Sequence, residues 1–238
     1  ETIYQKTGGD RGGKRFSKDR FTLGFNRRFH GYKNNHWPRL YLPAIIAPYG
    51  KKVRTELGEL KGLGGQFIAA GMAPESDTNM LEEICRYKDT CAHEPYAAFI
   101  EESSIPLMER FAWGLDLHFS MPELRGEAAG TSPDRCAQNG IPTVANWTGS
   151  IPEWMRHFEW KLGTGNGFVV RPELTSPFEQ YCQVQYFAML WHRAHEGNEA
   201  AKIVFETLTK NVFDAGKNRD IAITLEGYRR LLHRLCAS

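Results

Sequence analysis

The chain has 238 residues, 41% of them hydrophobic, and a formal net charge of +2. It is long enough to bury a sizeable core and too apolar for wholesale disorder. Its longest apolar stretch, Leu42–Pro48, is too short and too broken by proline to cross a bilayer, so no membrane span is expected.

Charge is divided along the chain. Residues 1–54 hold 13 Lys/Arg against 3 Asp/Glu, a balance of +10, whereas residues 55–130 hold 5 against 14, a balance of −9. The first segment interleaves cations with glycines and aromatics: Arg11, Lys14, Arg15 and Phe16, then Arg20, then Arg27, Arg28, Phe29, Tyr32 and Lys33, then Trp37 and Arg39. Cations neutralise phosphates and release counterions, and rings stack on exposed bases, so this pattern suits RNA or single strands. Arg11, Lys14, Arg15, Arg20, Arg27, Arg28 and Arg39 are the expected phosphate contacts. Phe16, Phe29, Tyr32 and Trp37 are the expected stacking platforms. The competing reading folds the segment over the acidic middle of the same chain.

Residues 1–20 carry few apolar anchors and are expected to be extended. From Phe21 to Ala47 the pattern is aromatic and irregular, interrupted by Pro38 and Pro43, which predicts short strands or an extended docked segment. A short helix is expected over Val53–Lys61, ended by Gly62. The glycine-rich run Gly62–Gly71 lacks the Gly-Lys-Ser/Thr ending of a phosphate loop and reads as a connection. Asn79 with Glu82 opens a helix to about Lys88, and Pro95–Glu102 and Pro106–Trp113 read as two more.

Gly126–Gly149 is rich in Gly, Pro, Ser, Thr and Asn and reads as a long loop. Ser150 with Glu153 predicts a helix bearing Trp154, Phe158 and Leu162, ended by the glycines at 163–167. Ser176-Pro177-Phe178-Glu179 is a further capping box, opening a long helix to His195. Gly197 breaks it. Ala201, Val204, Phe205, Leu208 and Val212 mark a second helix, and Leu225, Tyr228, Leu232 and Leu235 a third, which together predict an antiparallel bundle.

These elements amount to a mainly α fold, α+β with minor β: a helical C-terminal bundle preceded by an extended basic N-terminal arm. The expected division is a basic extended arm at 1–54, an acidic short-helix region at 55–130 and a helical domain at 131–238.

Three constellations bear on chemistry. Cys85, Cys91 and His93 offer zinc-capable ligands with Cys136 as a fourth, set against ordinary helical thiols; apart from that candidate ion, no cofactor is expected. His192 and His195 lack the glutamate register of a zinc protease, and His195 suits a helix C-terminal cap. Phe111–Phe119, with Asp116 between apolar residues, resembles the hydrophobic-Asp-hydrophobic-Asp strand of archaeo-eukaryotic primases, but His118 stands where their second acid falls. That departure puts two-metal chemistry in doubt.

Five scattered cysteines predict free thiols in a reducing intracellular compartment, such as the mitochondrial matrix. A chain that starts at Glu1 is expected to be processed or excerpted from something longer. The leading expectation is a noncatalytic RNA-associated component of a ribonucleoprotein assembly, such as an organellar ribosomal protein, with RNA and protein neighbours as partners. A viral nucleoprotein, an accessory subunit of a mitochondrial respiratory complex and a degenerate primase-like enzyme are the alternatives.

Overall fold

A computed structural model describes residues 15–219, apart from 103, 125, 128 and 129. In chain order its regular elements are β1 (Thr22–Asn26), α1 (Trp37–Leu40), α2 (Leu42–Ile46), β2 (Lys52–Thr55), β3 (Gly58–Lys61), β4 (Gln66–Ala70), α3 (Thr78–His93) and β5 (Ala97–Ile100). Then follow α4 (Ile105–Gly114), β6 (Leu117–Ser120), α5 (Ser132–Gln138), β7 (Thr143–Asn146), α6 (Ile151–Trp154), β8 (Phe168–Val170), α7 (Pro177–His195) and α8 (Glu199–Lys217).

Six strands form one parallel sheet in the order β5-β4-β1-β6-β7-β8, while β2 and β3 make a separate antiparallel hairpin. The chain builds outward from β1 through β4 to β5, then returns to the other side of β1 with β6 and continues to β7 and β8. This is the strand order of a doubly wound nucleotide-binding fold, and its direction of winding reverses between β1 and β6.

Both faces of the sheet are covered, as parallel sheets require. On one face Phe25, Phe29, Phe67, Tyr87 and Phe119 form a fully buried aromatic layer, with Phe25 and Phe67 centroids 6.1 Å apart. On the other, Ile68 and Ala70 pack with Phe111, Leu115 and Cys136 from the α4–α5 side. The middle of β1 admits no side chain: a Cβ on Gly24 would stand 2.1 Å from the Ile68 carbonyl oxygen of β4.

This architecture corrects the expectation of a mainly helical protein with an extended N-terminal arm. Residues 22–26 are a central strand, not part of an arm. Val53–Lys61 is mostly hairpin, and Pro95–Glu102 contains the strand β5. The expected loop at 126–149 contains α5 and β7, and the expected Ser150–Leu162 helix stops at Trp154. Strands buried on both faces need not alternate apolar and polar residues, so strands of three to five residues such as these carry little strand signal of their own.

The helices α3, α4, α7 and α8 do form where capping and periodicity place helices. Ser176 Oγ accepts from the Glu179 N–H at 3.1 Å at the start of α7. Asp77 caps α3 in the same way, two residues before the expected Asn79, which lies inside the helix, and Asn198 caps α8. However, α7 packs onto the sheet beside β7 and β8 as well as against α8, and so belongs to a layer of the α/β domain. The third helix expected from Leu225, Tyr228, Leu232 and Leu235 lies outside the described residues, as do Arg11 and Lys14. Among the described residues no helix is long and apolar enough to cross a membrane.

Candidate functional site

The winding reverses at the carboxyl ends of β1 and β6, and in open α/β sheets the crevice at such a switch point is where ligands bind. The segment leaving β1 supplies Arg27-Arg28-Phe29-His30-Gly31-Tyr32-Lys33-Asn34. Its first residues still follow β4, since the Arg27 N–H donates to Ala70 at 3.1 Å and the Phe29 N–H to Met72 at 2.8 Å. Phe29 is then drawn into the aromatic core against Tyr87 and Phe99. This leaves Arg28 and His30 exposed at the rim.

Side-chain amides brace the crevice. Asn34, in the left-handed region at φ 50°, donates from Nδ2 to the Met121 carbonyl after β6 at 3.1 Å. Asn146, the last residue of β7, donates to the Pro122 carbonyl at 2.9 Å. The Glu123 N–H donates to the Tyr32 carbonyl at 2.6 Å. Three strand-end segments are thereby held in one arrangement.

Charge is concentrated inside this frame. The Glu127 carboxylate lies 3.6 Å from the Arg27 guanidinium and pairs with the Lys33 ammonium, all three side chains being largely buried. Two cations on one carboxylate leave an excess positive charge, and Arg28 adds another at the rim. Burial lowers the Arg27 pKa to about 10, with Glu127 opposing the shift, so Arg27 stays charged at neutral pH. Its Nε is buried and has no hydrogen-bond partner among the described residues. Beneath, burial pushes His118 down to about 3 and keeps it neutral. Guanidinium and ammonium groups are the side chains suited to pairing with a phosphate-like anion.

Of the other residues singled out from sequence, Arg20 reaches the Gly65 carbonyl at 2.9 Å and also that of Ile46, and lies 3.8 Å over the Tyr96 ring. Arg39 pairs with Glu83 at 2.7 Å and Glu56 at 2.6 Å. Arg15 is exposed, Phe16 packs against the α4–α5 side of the core, and Trp37 packs against the aromatic side. Tyr32 is half-buried beneath the Lys33 ammonium.

The zinc candidates are distributed over separate surroundings: Cys85 is exposed, Cys91 belongs to the aromatic core and Cys136 to the opposite one. Among the described residues no group of three metal-capable side chains converges. Asp116, at the start of β6, accepts from the Thr22 N–H at 2.6 Å, at the end of the sheet opposite the crevice. His195, in the last turn of α7, places Nδ1 2.8 Å from the Trp191 carbonyl and stacks on that residue's ring.

Sequence reasoning missed Glu127, Asn34 and Asn146 as parts of a site. The available signal was the recurrence of short segments with large apolar or β-branched residues at 22–26, 66–70, 97–100, 117–120 and 143–146, separated by helical or glycine-containing stretches, as in repeated βα units.

No protein-family model matches the chain. An uncharacterized protein of Methanocaldococcus jannaschii is 27% identical over 158 residues, which is 66% of this chain but 28% of that protein. Among solved structures, Anabaena HepE in complex with UDP and glucose matches with TM-score 0.60 at 16% identity, over 98% of this chain and 51% of that one. The catalytic domain of Arabidopsis thaliana starch synthase IV bound to ADP and acarbose matches with TM-score 0.59 at 14% identity, over 92% and 42%. The C-terminal domain of a Francisella tularensis group 1 glycosyl transferase matches with TM-score 0.56 at 13% identity, over 90% of both. The chain thus spans about half or less of the first two enzymes, and likeness at this identity establishes a shared fold.

These findings overturn the expectation of an RNA-associated, ribosomal or other ribonucleoprotein component with a mitochondrial role. The same holds for the nucleoprotein, respiratory-subunit and primase alternatives. The physical reason lies in Arg39, which is closed off by this chain's own Glu56 and Glu83, and in Arg27, which is buried beside Glu127, while Phe29 is buried in the core instead of being offered to bases. What the comparisons show is a doubly wound α/β domain whose fold is shared with these structures.

Proposed function

We propose that this chain is one lobe of a glycosyltransferase and binds a phosphate-bearing sugar donor in the β1–β6 crevice. The observation that carries the reading is the coincidence of the switch point of a glycosyltransferase-like sheet with the buried Arg27–Glu127–Lys33 cluster. The similar enzymes hold UDP or ADP, so a nucleoside diphosphate sugar is the donor class proposed here. When its glycosidic bond breaks, negative charge accumulates on the departing phosphate. Cations fixed in advance around that oxygen stabilise the charge without having to reorganise. Lys33 and the rim residue Arg28 take this role, and Arg27 supports it from below through the carboxylate it shares with Lys33.

Binding is the appropriate test for a single lobe. Isothermal titration with UDP-glucose, ADP-glucose and glucose 1-phosphate should show saturable binding of at least one of them. Lys33→Met and Arg28→Met should each weaken it by roughly tenfold or more, the scale of one charge-assisted hydrogen bond. Absence of binding by all three, or affinity unchanged in both variants, would overturn the proposal.

A further inference from the structure

A second cleft lies on the same rim of the sheet, beyond β7 and β8, with a volume of about 690 Å³. Trp147 directly follows β7 and Arg171 directly follows β8, while Glu179 and Gln183 belong to the first turns of α7. Its charges differ in kind from those of the first crevice. Glu159, Glu173 and Glu179 outnumber Arg156 and Arg171, and Arg156 Nη1 already donates to the Pro152 and Met155 carbonyls at 3.1 and 2.8 Å.

His157 adds a neutral donor. Its Nδ1 accepts from the Val169 N–H at 3.2 Å, which assigns the ring proton to Nε2. Desolvation lowers its pKa, so it brings no positive charge at neutral pH. A cleft with more carboxylates than available cations repels a phosphate. Carboxylate, amide, guanidinium and imidazole groups around one half-buried indole instead suit a ligand with many hydroxyls and an apolar ring face.

We propose that this cleft binds a neutral oligosaccharide, with Trp147 as its apolar wall and Glu179, Gln183 and Arg171 meeting the sugar hydroxyls. Such a site deepens the glycosyl-transfer reading by holding an acceptor chain on the rim that holds the donor, and it rests on that reading for its role though not for the binding itself. Gln183 Nε2 donates to Glu179 Oε1 at 2.9 Å, so the pair is held as one bidentate polar edge before a ligand arrives.

The test is titration of the chain with maltohexaose, cellohexaose and chitohexaose, followed by heat and by ligand-observed NMR. At least one should bind with a dissociation constant of about 1 mM or below. Trp147→Ala should weaken that binding at least tenfold. Because Trp147 also packs against Ile151 and Met155, Arg171→Met and Glu179→Gln provide second variants away from the core, each expected to lose threefold or more. Trp160→Ala, which removes an exposed indole outside the cleft, should change nothing, and saturating UDP-glucose should not displace the oligosaccharide. Binding that is indifferent to Arg171→Met and Glu179→Gln, or that is lost in Trp160→Ala, overturns the site. Donor binding without binding of any oligosaccharide overturns this inference alone, and failure of both ligands overturns the two together.

Discussion

Arg27 and Glu127 stand 3.6 Å apart across the crevice, a hundred residues distant in sequence, and the carboxylate that faces Arg27 also holds Lys33. One acid therefore balances two cations at the place where the winding of the sheet reverses.

Replacing that acid exposes the balance. Glu127→Gln leaves two largely buried cations without a carboxylate and is expected to destabilise the fold by about 3 kcal/mol. The same change removes the internal competitor for an anion. Sulfate or phosphate should therefore recover more stability in Glu127→Gln than in the parent protein. Urea unfolding at fixed ionic strength, with sulfate and with chloride, measures both effects, and equal responses in the two proteins would count against the cluster as an anion receptor.

Gly24 offers a test of the sheet itself. An alanine there directs its Cβ at the Ile68 carbonyl, an atom of the neighbouring strand's backbone that has no freedom to withdraw. Gly24→Ala should cost about 3 kcal/mol or more, or prevent soluble expression. The exposed Gly31→Ala, which meets nothing within 4 Å, serves as the control and should fall within about 1 kcal/mol of the parent.

His118 makes stability depend on pH. Its folded pKa, about 3, lies below the ordinary 6.5 because burial penalises the imidazolium and Arg27 repels it. The unfolded chain therefore takes up a proton that the folded chain refuses. The penalty is absent above pH 6.5 and grows as pH falls toward 3, reaching roughly 3 kcal/mol at pH 4. His118→Leu should flatten the fall in stability between pH 6.5 and pH 4 relative to the parent, leaving the part due to carboxylates. Identical slopes in the two proteins would refute the assignment.

The thiols should differ sharply in reactivity. Cys85 is exposed on α3, whereas burial raises Cys136 to about 12. Brief alkylation of the native protein at pH 8 followed by peptide mapping should find Cys85 modified and Cys136 protected until denaturant is added. Early labelling of Cys136 would show that the α4–α5 side opens readily.

The long helices were legible because each carries local signals. Ser176 with Glu179 caps α7, and Ala201, Leu208 and Val212 recur on one face of α8. The strands were not legible for an equally physical reason. Gln66–Ala70 is buried at all five positions and does not alternate apolar and polar residues, while Leu117–Ser120 does alternate but is only four residues long and is buried throughout, too short a run to mark a strand. The N-terminal cations were conspicuous, but a charge count does not distinguish Arg28, exposed at the rim, from Arg39, closed off by Glu56 and Glu83.

By itself the amino-acid sequence determined the size of the core, the absence of an apolar stretch able to cross a bilayer, the starts of the longer helices and the concentration of positive charge before residue 55. All of these are properties of neighbouring residues, whose effects act over a few bonds or one helical turn. Only the tertiary structure decided that 22–26 is the centre of a parallel sheet, that Glu127 meets Arg27 and Lys33, and that Trp147, Arg171 and Glu179 share one cleft. Parallel pairing joins strands across long crossovers, so its partners are chosen by packing of the whole domain and not by any window of the chain.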